Sequence, residues 1–402
     1  IFLVNRYNEE RKWSLTKEEA MSRALDGSFA SLSGSSLTTI FGFLALCFMQ
    51  LTLGLNIGLV MAKGVILGVL SVVIILPAFL LVFDDAINRH KHKPYTPNFG
   101  KLVNFVLKRK KVLTTLFVLM IIPSLFLSLN VKEYYNLNAQ LPEDSLTSMG
   151  TAILKEKFNM TTSHFIIVDD SIPANKLVKM ENEIREVKGV SSMLAYDMFV
   201  GTAIPDSIMP DNITDVVKQN GRQVMLVNSI YEASTDESNA QVEQIENIIS
   251  KYTDKEHCGY ITGEGALYKD LIETTKVDFT VTSIISIVAV FIVIAVLFKS
   301  ISIPVILILG IEVAIWINEG ISTIFGTEIP FIAPTVISCI QLGATVDYAI
   351  LLTSRFKEEL HNGLGRTAAM KKAAGESIRS VFQSAMLFFF ATFGVYLVCS
   401  IS

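Results

Sequence analysis

Cysteine is scarce in this 402-residue sequence, with only Cys47, Cys258, Cys339 and Cys399. Three of these fall in strongly apolar runs and only Cys258 in a polar stretch. No intrachain disulfide can therefore staple that stretch, and no spacing suggests a metal. All four read as packing residues. Histidine is nearly as sparse. His164 stands alone beside a strand pattern without the partners catalysis needs, and His90 and His92 sit in a basic loop as solvated side chains rather than metal ligands. Gly263-Glu264-Gly265 is too short for a phosphate loop and reads as a turn before a helix. No nucleophile–base constellation stands out, so nothing argues for an enzyme and no cofactor is expected. Charge is thin too, at 18% of residues against 51% hydrophobic.

The apolar excess comes in blocks of about 20 residues, enough for a helix to cross a bilayer. Spans are expected near Ser36–Leu53, Gly58–Phe83, Val112–Leu129, Val277–Phe298, Ile301–Ile321 and Ile329–Ser354, with a seventh from about Ser380 to Ser402. The predicted organisation is a helix tail and amphipathic helix over 1–35, two transmembrane helices over 36–83 and a basic loop over 84–111. A transmembrane helix over 112–130, a polar exported domain over 131–276 and three transmembrane helices over 277–354 come next. A second amphipathic helix over 355–379 then leads to a truncated transmembrane helix over 380–402. Pro77 and Pro123 fall inside spans and shape helices there.

Charge is distributed unevenly around these spans. The loop 84–111 carries Arg89, Lys91, Lys93, Lys101, Lys108, Arg109, Lys110 and Lys111 against Asp84 and Asp85, which marks the cytoplasmic side. A juxtamembrane position favours this reading over nucleic-acid binding, so no nucleic-acid partner is expected. The stretch 131–276 has 23 Asp and Glu against 13 Lys and Arg, and a long acidic domain of this kind can be translocated. Within it, His164–Val168, Val224–Ile230 and Tyr260–Thr262 read as strands, and Ala174–Val187 and Asn239–Tyr252 as helices. That alternation predicts a small α/β sandwich with helices on one face of a sheet.

The chain also matches itself. Moved back by 349 positions, Arg355-Phe356-Lys357-Glu358-Glu359 falls on Arg6-Tyr7-Asn8-Glu9-Glu10. In the same register Ala369-Met370-Lys371-Lys372-Ala373 falls on Ala20-Met21-Ser22-Arg23-Ala24, and Ser377 and Ser384 fall on Ser28 and Ser35. Each copy then enters an apolar span, which points to an internal duplication. The expectation is a fragment of a duplicated protein of roughly 700 residues or more, on the logic of transporter repeats. The segments 6–30 and 355–377 read as amphipathic helices lying on the membrane surface.

Within the span Ile329–Ser354 stands a bare acid, Asp347, followed by Tyr348 and preceded by the small residues Gly343 and Ala344. A carboxylate at that depth is costly and marks ion, proton or substrate handling, and small neighbours let another helix approach closely. Asp347 can alternate between charged and neutral forms if burial brings its pKa toward ambient pH. Tyr348, one position along, points to a different face. Glu312 is a second intramembrane acid and a candidate relay member. Counted from the cytoplasmic ends, Asp347 lies about 12 Å deep and Glu312 about 20 Å, so direct contact needs tilt or a water. Lys63 either snorkels to the headgroups or pairs with one of these acids. Asn318 and Glu319, near the outer end of a span, and Asp84 and Asp85, at the cytoplasmic end of another, are expected to be solvated.

Four stretches together resemble the resistance–nodulation–division (RND) superfamily, specifically bacterial MMPL-type permeases. They are Gln341–Tyr348 followed by Arg355-Phe356, Phe2–Glu10, Leu141-Pro142-Glu143-Asp144-Ser145, and Thr262–Leu267. The resemblance implies an RND-type helical bundle holding the tail of helix four, helices five to ten and part of helix eleven. It also implies an exported porter domain of ferredoxin-like fold. It makes Asp347 and Tyr348 the helix-ten proton-relay pair of an exporter that moves lipids or other hydrophobic compounds out of a bacterial cell membrane as protons enter. The partners so implied are protons, a hydrophobic or lipid-like substrate and membrane lipids, with either one chain or a homotrimer as the working unit. Two other readings share the superfamily: a lipid sensor of the Patched and Niemann–Pick kind, usually rich in external disulfides, and an accessory of protein secretion.

Overall fold

A computed structural model describes residues 2–13, 16–90, 99–136, 141–196, 214, 216–255 and 257–398. Cys399, His92 with Lys91 and Lys93, and the last residues of the seventh span lie outside these. The chain divides into two compact units, Ile1–Glu133 with Val277–Ser400, and Tyr134–Lys276.

The first unit begins with α1 (Phe2–Glu10), α2 (Lys17–Ala45), α3 (Thr52–Leu70), α4 (Leu76–Arg89), α5 (Gly100–Lys108) and α6 (Lys110–Leu129). It resumes with the end of α10 (Glu264–Phe298), then α11 (Ser302–Phe325), α12 (Ala333–His361) and α13 (Arg366–Val398). Among the described residues seven helical stretches are long and apolar enough to cross a membrane, where the sequence places its seven spans. One of them runs through α3 and α4 without a break, joined by a π-turn at Ser71–Ile75. Pro77, in the first turn of α4, has no N–H to give to the residue four before it, and the wider turn absorbs the lost bond.

The two amphipathic segments are not separate surface helices, contrary to the expectation. Residues 17–30 are the opening turns of α2, which continues unbroken to Ala45, and 366–377 likewise open α13. Neither helix contains proline, and the breaks fall earlier in both copies. Thr16 caps α2 by accepting from the Glu19 N–H at 3.2 Å. After α12 ends at His361, Gly363 turns the chain with φ +87°. Starts at Lys17 and Arg366 are 349 residues apart, so the repeat holds in the backbone as well as the sequence. The matched small residues share their environment: Ala20 and Ala369, Ala24 and Ala373, and Ser28 and Ser377 are all buried.

Helices α2 and α3 pack through small residues. Gly54, Gly58 and Ala62 are spaced by four along α3 and all buried. A Cβ on Gly58 would sit 2.7 Å from the carbonyl oxygen of Phe43, a backbone atom with little freedom to move. In lipid, where apolar burial drives little, such close approach supplies the dispersion that holds helices together.

After the short strand β1 (Glu133–Tyr134), the second unit contains α7 (Leu146–Phe158), β2 (Thr162–Asp169), α8 (Ala174–Arg185), β3 (Val190–Leu194), β4 (Lys218–Gln219), β5 (Arg222–Ser229), α9 (Asp236–Tyr252) and β6 (Gly259–Gly263). The main strands form an antiparallel sheet in the order β3-β5-β2-β6, with β4 beside β5. Without β4 the chain order is β-α-β-β-α-β. Ile166, Val168, Met225 and Val227 pack with Leu177, Met180 and Ile184 of α8 and Ile245 and Ile249 of α9. Neither α7 nor β3 was legible in sequence: Val190-Ser191-Ser192-Met193-Leu194 is too polar to announce a strand, and pairing with β5 makes it one.

Two outcomes follow for stability. Gly58→Leu should lower thermal stability in detergent by about 1–3 kcal/mol through overpacking. Gly64→Leu, six residues on with open space around its Cα, should leave it unchanged. In the sheet, His164 is fully buried, and burial holds its imidazole below the usual value of 6.5. The folded state therefore binds fewer protons than the unfolded one. This unit keeps full stability above pH 6.5 and loses it as pH falls below that value. Protection of the β2 amides, their exchange rate relative to the intrinsic rate at each pH, should fall between pH 7.5 and 5.5, and His164→Phe should remove that fall.

Candidate functional site

Helices α2 and α12 cross where neither carries a large side chain. Thr39 Oγ1 donates to the carbonyl oxygen of Gly343 at 2.9 Å, and a Cβ on Gly343 would come within 3.3 Å of Thr39 Cα. Gly42 faces Gly343 from the other helix, 3.4 Å from a Cβ position to its Cα. Ala344 follows, half-buried. One turn further, Asp347 and Tyr348 both line a cavity of about 260 Å³. Tyr348 thus opens onto the same space as Asp347, not onto a separate face, because the cavity is wide enough to meet two adjacent positions of α12.

The cavity is built from both copies of the repeat. Phe2 and Leu351, Ser31 and Ser380, Leu32 and Val381, and Ser35 and Ser384 line it in pairs, each separated by 349 residues. Ser35, Thr38 and Thr39 of α2 lie beside the Asp347 carboxylate. The same hydroxyls also reach backbone carbonyl oxygens, Ser35 that of Leu32, Thr38 and Thr39 that of Ser35, and Thr39 that of Gly343, so each single proton is shared between a carbonyl and the carboxylate. Asp347 Oδ1 is buried and has no hydrogen-bond partner. A carboxylate oxygen in that state is costly unless a proton or water reaches it.

The other predicted residues are placed elsewhere. Glu312, on α11, does not line this cavity. It lies near Cys339 of α12, eight residues and about 12 Å along the helix before Asp347. Lys63 is exposed on α3 and makes no ion pair among the described residues. Two acids expected to be solvated are buried. Glu319 is 5% exposed and accepts from Ser128 of α6 at 2.6 Å, because α6 packs on that face of α11. Asp84 is 4% exposed and accepts from Tyr7 at 3.1 Å, with Arg11 and Lys17 at 3.4 and 3.7 Å. Asp85 next to it remains exposed. Asn318 is exposed and donates to Gln341 at 3.1 Å.

Two groups escaped the sequence reading. Asp278, on α10, is 1% exposed and accepts from the backbone N–H groups of Gln50 and Leu51 at 2.9 and 3.1 Å. It holds the turn that leads into α3, just before the helix's first residue, Thr52. In sequence it is only an acid at the polar end of a span. The second group is reciprocal. Arg6 pairs with Glu358 at 3.3 Å while Arg355 pairs with Glu9 at 2.9 Å, and within the copies Arg6–Glu9 and Arg355–Glu358 lie at 3.9 and 3.2 Å. Arg6 matches Arg355 and Glu9 matches Glu358 in the repeat register, so the four charges close a ring across an approximate two-fold. The signal was present in the self-match, where both residues of each matched pair are identical.

Comparison with known proteins gives a family model, described as the MMPL family, that matches residues 1–109 and 131–400. YdgH of Bacillus subtilis (strain 168) is 25% identical over 289 residues, 69% of this chain and 31% of that protein. ActII-3 of Streptomyces coelicolor is 23% identical over 390 residues, 92% of this chain and 51% of that protein. Both are named for the membrane and not for a substrate. The siderophore exporter MmpL5 of Mycobacterium tuberculosis is 25% identical over 136 residues, 33% of this chain and 14% of that protein. The chain spans about a third to a half of the length of the first two.

Asp278→Ala should leave two N–H groups without an acceptor and lower thermal stability by about 2–4 kcal/mol. Asp278→Asn, which keeps one acceptor oxygen, should fall between it and the unsubstituted protein in the same melting experiment.

Proposed function

The chain belongs to the MMPL family, and from that premise we propose that it forms part of a proton-driven exporter of lipids or other hydrophobic compounds. The observation that carries this reading is the buried, unpartnered Asp347 oxygen beside Tyr348 in a cavity assembled from both repeats. In the protonated state the carboxyl can donate to a hydroxyl oxygen on α2. In the ionised state it competes with those carbonyls for the hydroxyl protons of Ser35, Thr38 and Thr39 and draws water or the Tyr348 hydroxyl toward itself. The two states favour different packing of α12 against α2, and a difference of this kind lets a proton gradient bias a conformational equilibrium.

The reciprocal ring of Arg6, Glu9, Arg355 and Glu358 ties the two copies at their polar ends. Rocking of one copy against the other would have to exchange or break its cross pairs, so the ring acts as the catch on that motion. Glu312 serves as a second protonatable site on this reading, reached through water, and Lys63 stays with the headgroups. The β-α-β-β-α-β order and antiparallel sheet of the second unit support a ferredoxin-like porter domain outside the membrane. The basic segments 84–111 and 355–379 then lie in the cytoplasm. The membrane so implied is the bacterial cell membrane, and likeness to the family supports the substrate class.

The test is proton-gradient-driven transport by the full-length protein in proteoliposomes, across a panel of fluorescent lipids and dyes. Asp347→Asn should fold, as judged by a monodisperse detergent profile, and lose transport by at least about tenfold, the least expected of a relay acid. Equal transport by both proteins would reduce Asp347 to a packing residue. At the ring, Arg355→Glu and Glu9→Arg should each slow transport, and the double reversal should recover most of it; failure to recover would separate the ring from the transport cycle.

A further inference from the structure

From Ala86 to Lys132 the sequence has no Asp or Glu, and neither the cavity nor the charge ring uses this stretch. Its described centre is α5, a nine-residue helix with three distinct faces. Val103 and Leu107, four residues apart, turn inward, the first buried and the second half-buried. Just before the helix, the Phe99 ring rests on that of Phe382 in α13, centroids 5.2 Å apart. Leu102, Phe105 and Val106, at i, i+3 and i+4, make a second face and are 47%, 56% and 44% exposed. Lys101, Asn104 and Lys108 make the third, and Arg109, Lys110 and Lys111 continue it; all six are exposed. None of these five basic residues has an ion-pair partner among the described residues.

The depth of α5 can be read from its neighbours. In α13 the apolar run starts at Val381, two residues after Arg379, and Phe382 belongs to it. In α6 the apolar run starts at Val112, directly after Lys111. Helix α5 thus lies where two spans pass from polar to apolar, with an apolar face and a basic face both uncovered. We propose that α5 with Arg109–Lys111 is a docking surface for anionic phospholipids. Leu102, Phe105 and Val106 enter the acyl boundary, and the lysines and arginine hold the phosphate groups. Amphipathic helices bind bilayers in this way, through apolar insertion plus charge attraction. An acidic protein or nucleic acid would satisfy the charges but leave three large apolar side chains in water. The inference does not depend on the relay.

To test it, Phe105→Trp is made in the full protein with every native tryptophan, Trp13 and Trp316 among them, replaced by Phe, and the protein is placed in phosphatidylcholine nanodiscs. Equal fractions of bromine-labelled phosphatidylglycerol or bromine-labelled phosphatidylcholine are then included. Quenching of the introduced indole by the anionic lipid should be about threefold stronger. The preference should vanish near 1 M NaCl, where screening acts within about 3 Å, and in the set Lys101→Gln, Lys108→Gln, Arg109→Gln, Lys110→Gln and Lys111→Gln. Equal quenching at low salt would overturn the headgroup preference, and no quenching by either lipid would overturn docking altogether. Native mass spectrometry of the unsubstituted protein gives an independent readout. Retention of phosphatidylglycerol over phosphatidylcholine supports the site, and no preference counts against it whatever the reporter variant does.

Discussion

Contact between α2 and α12 at Gly42, Thr39 and Gly343 is the constraint on which the rest of the membrane unit depends. The single interhelical hydrogen bond there is worth only about 0.6 kcal/mol by comparison with measured pairs in membranes. Close approach does the greater part of the work, because it lets backbone meet backbone with no side chain between. Once the helices touch at Gly343, Asp347 one turn later must face residues of α2 and the mouth of the first repeat. The cavity, its paired lining and the unpartnered carboxylate oxygen follow from that crossing.

Polar groups in this unit show how lipid shapes a fold. Water cannot satisfy them at depth, so each must find protein. Asp278 reaches across to hold the turn before α3, and Asp84 gathers a tyrosine and two bases. Glu319 keeps one oxygen unpartnered, but its other oxygen takes the Ser128 proton. Asp347 differs from all three, since the hydroxyls beside it divide their protons between its carboxylate and backbone carbonyls.

Much of the architecture was legible beforehand because it rests on local regularity. Seven apolar blocks became seven helices, since a bilayer demands length and composition and little else. The 349-residue register gave α2 and α13 the same starting offset and the same buried alanines. What misled was treating polarity as exposure. The amphipathic segments 6–30 and 355–377 looked like surface helices, yet their small residues are the first buried turns of spans. Glu319 and Asp84 looked solvated because they stood near span ends, and a packed neighbour covered each.

Sequence alone determined the spans, the duplication, the acidic and basic segments, and the presence of Asp347 and Glu312 in apolar runs, because each is a property of neighbours along the chain. Tertiary structure decided which polar groups meet: the cavity shared by Ser31, Ser35, Ser380 and Ser384, the turn held by Asp278, the crossed pairs of Arg6 and Arg355, and the distance of Glu312 from Asp347's cavity. Periodicity tells a helix which face is apolar, but only the crossing of helices far apart in sequence tells a buried charge what it will face.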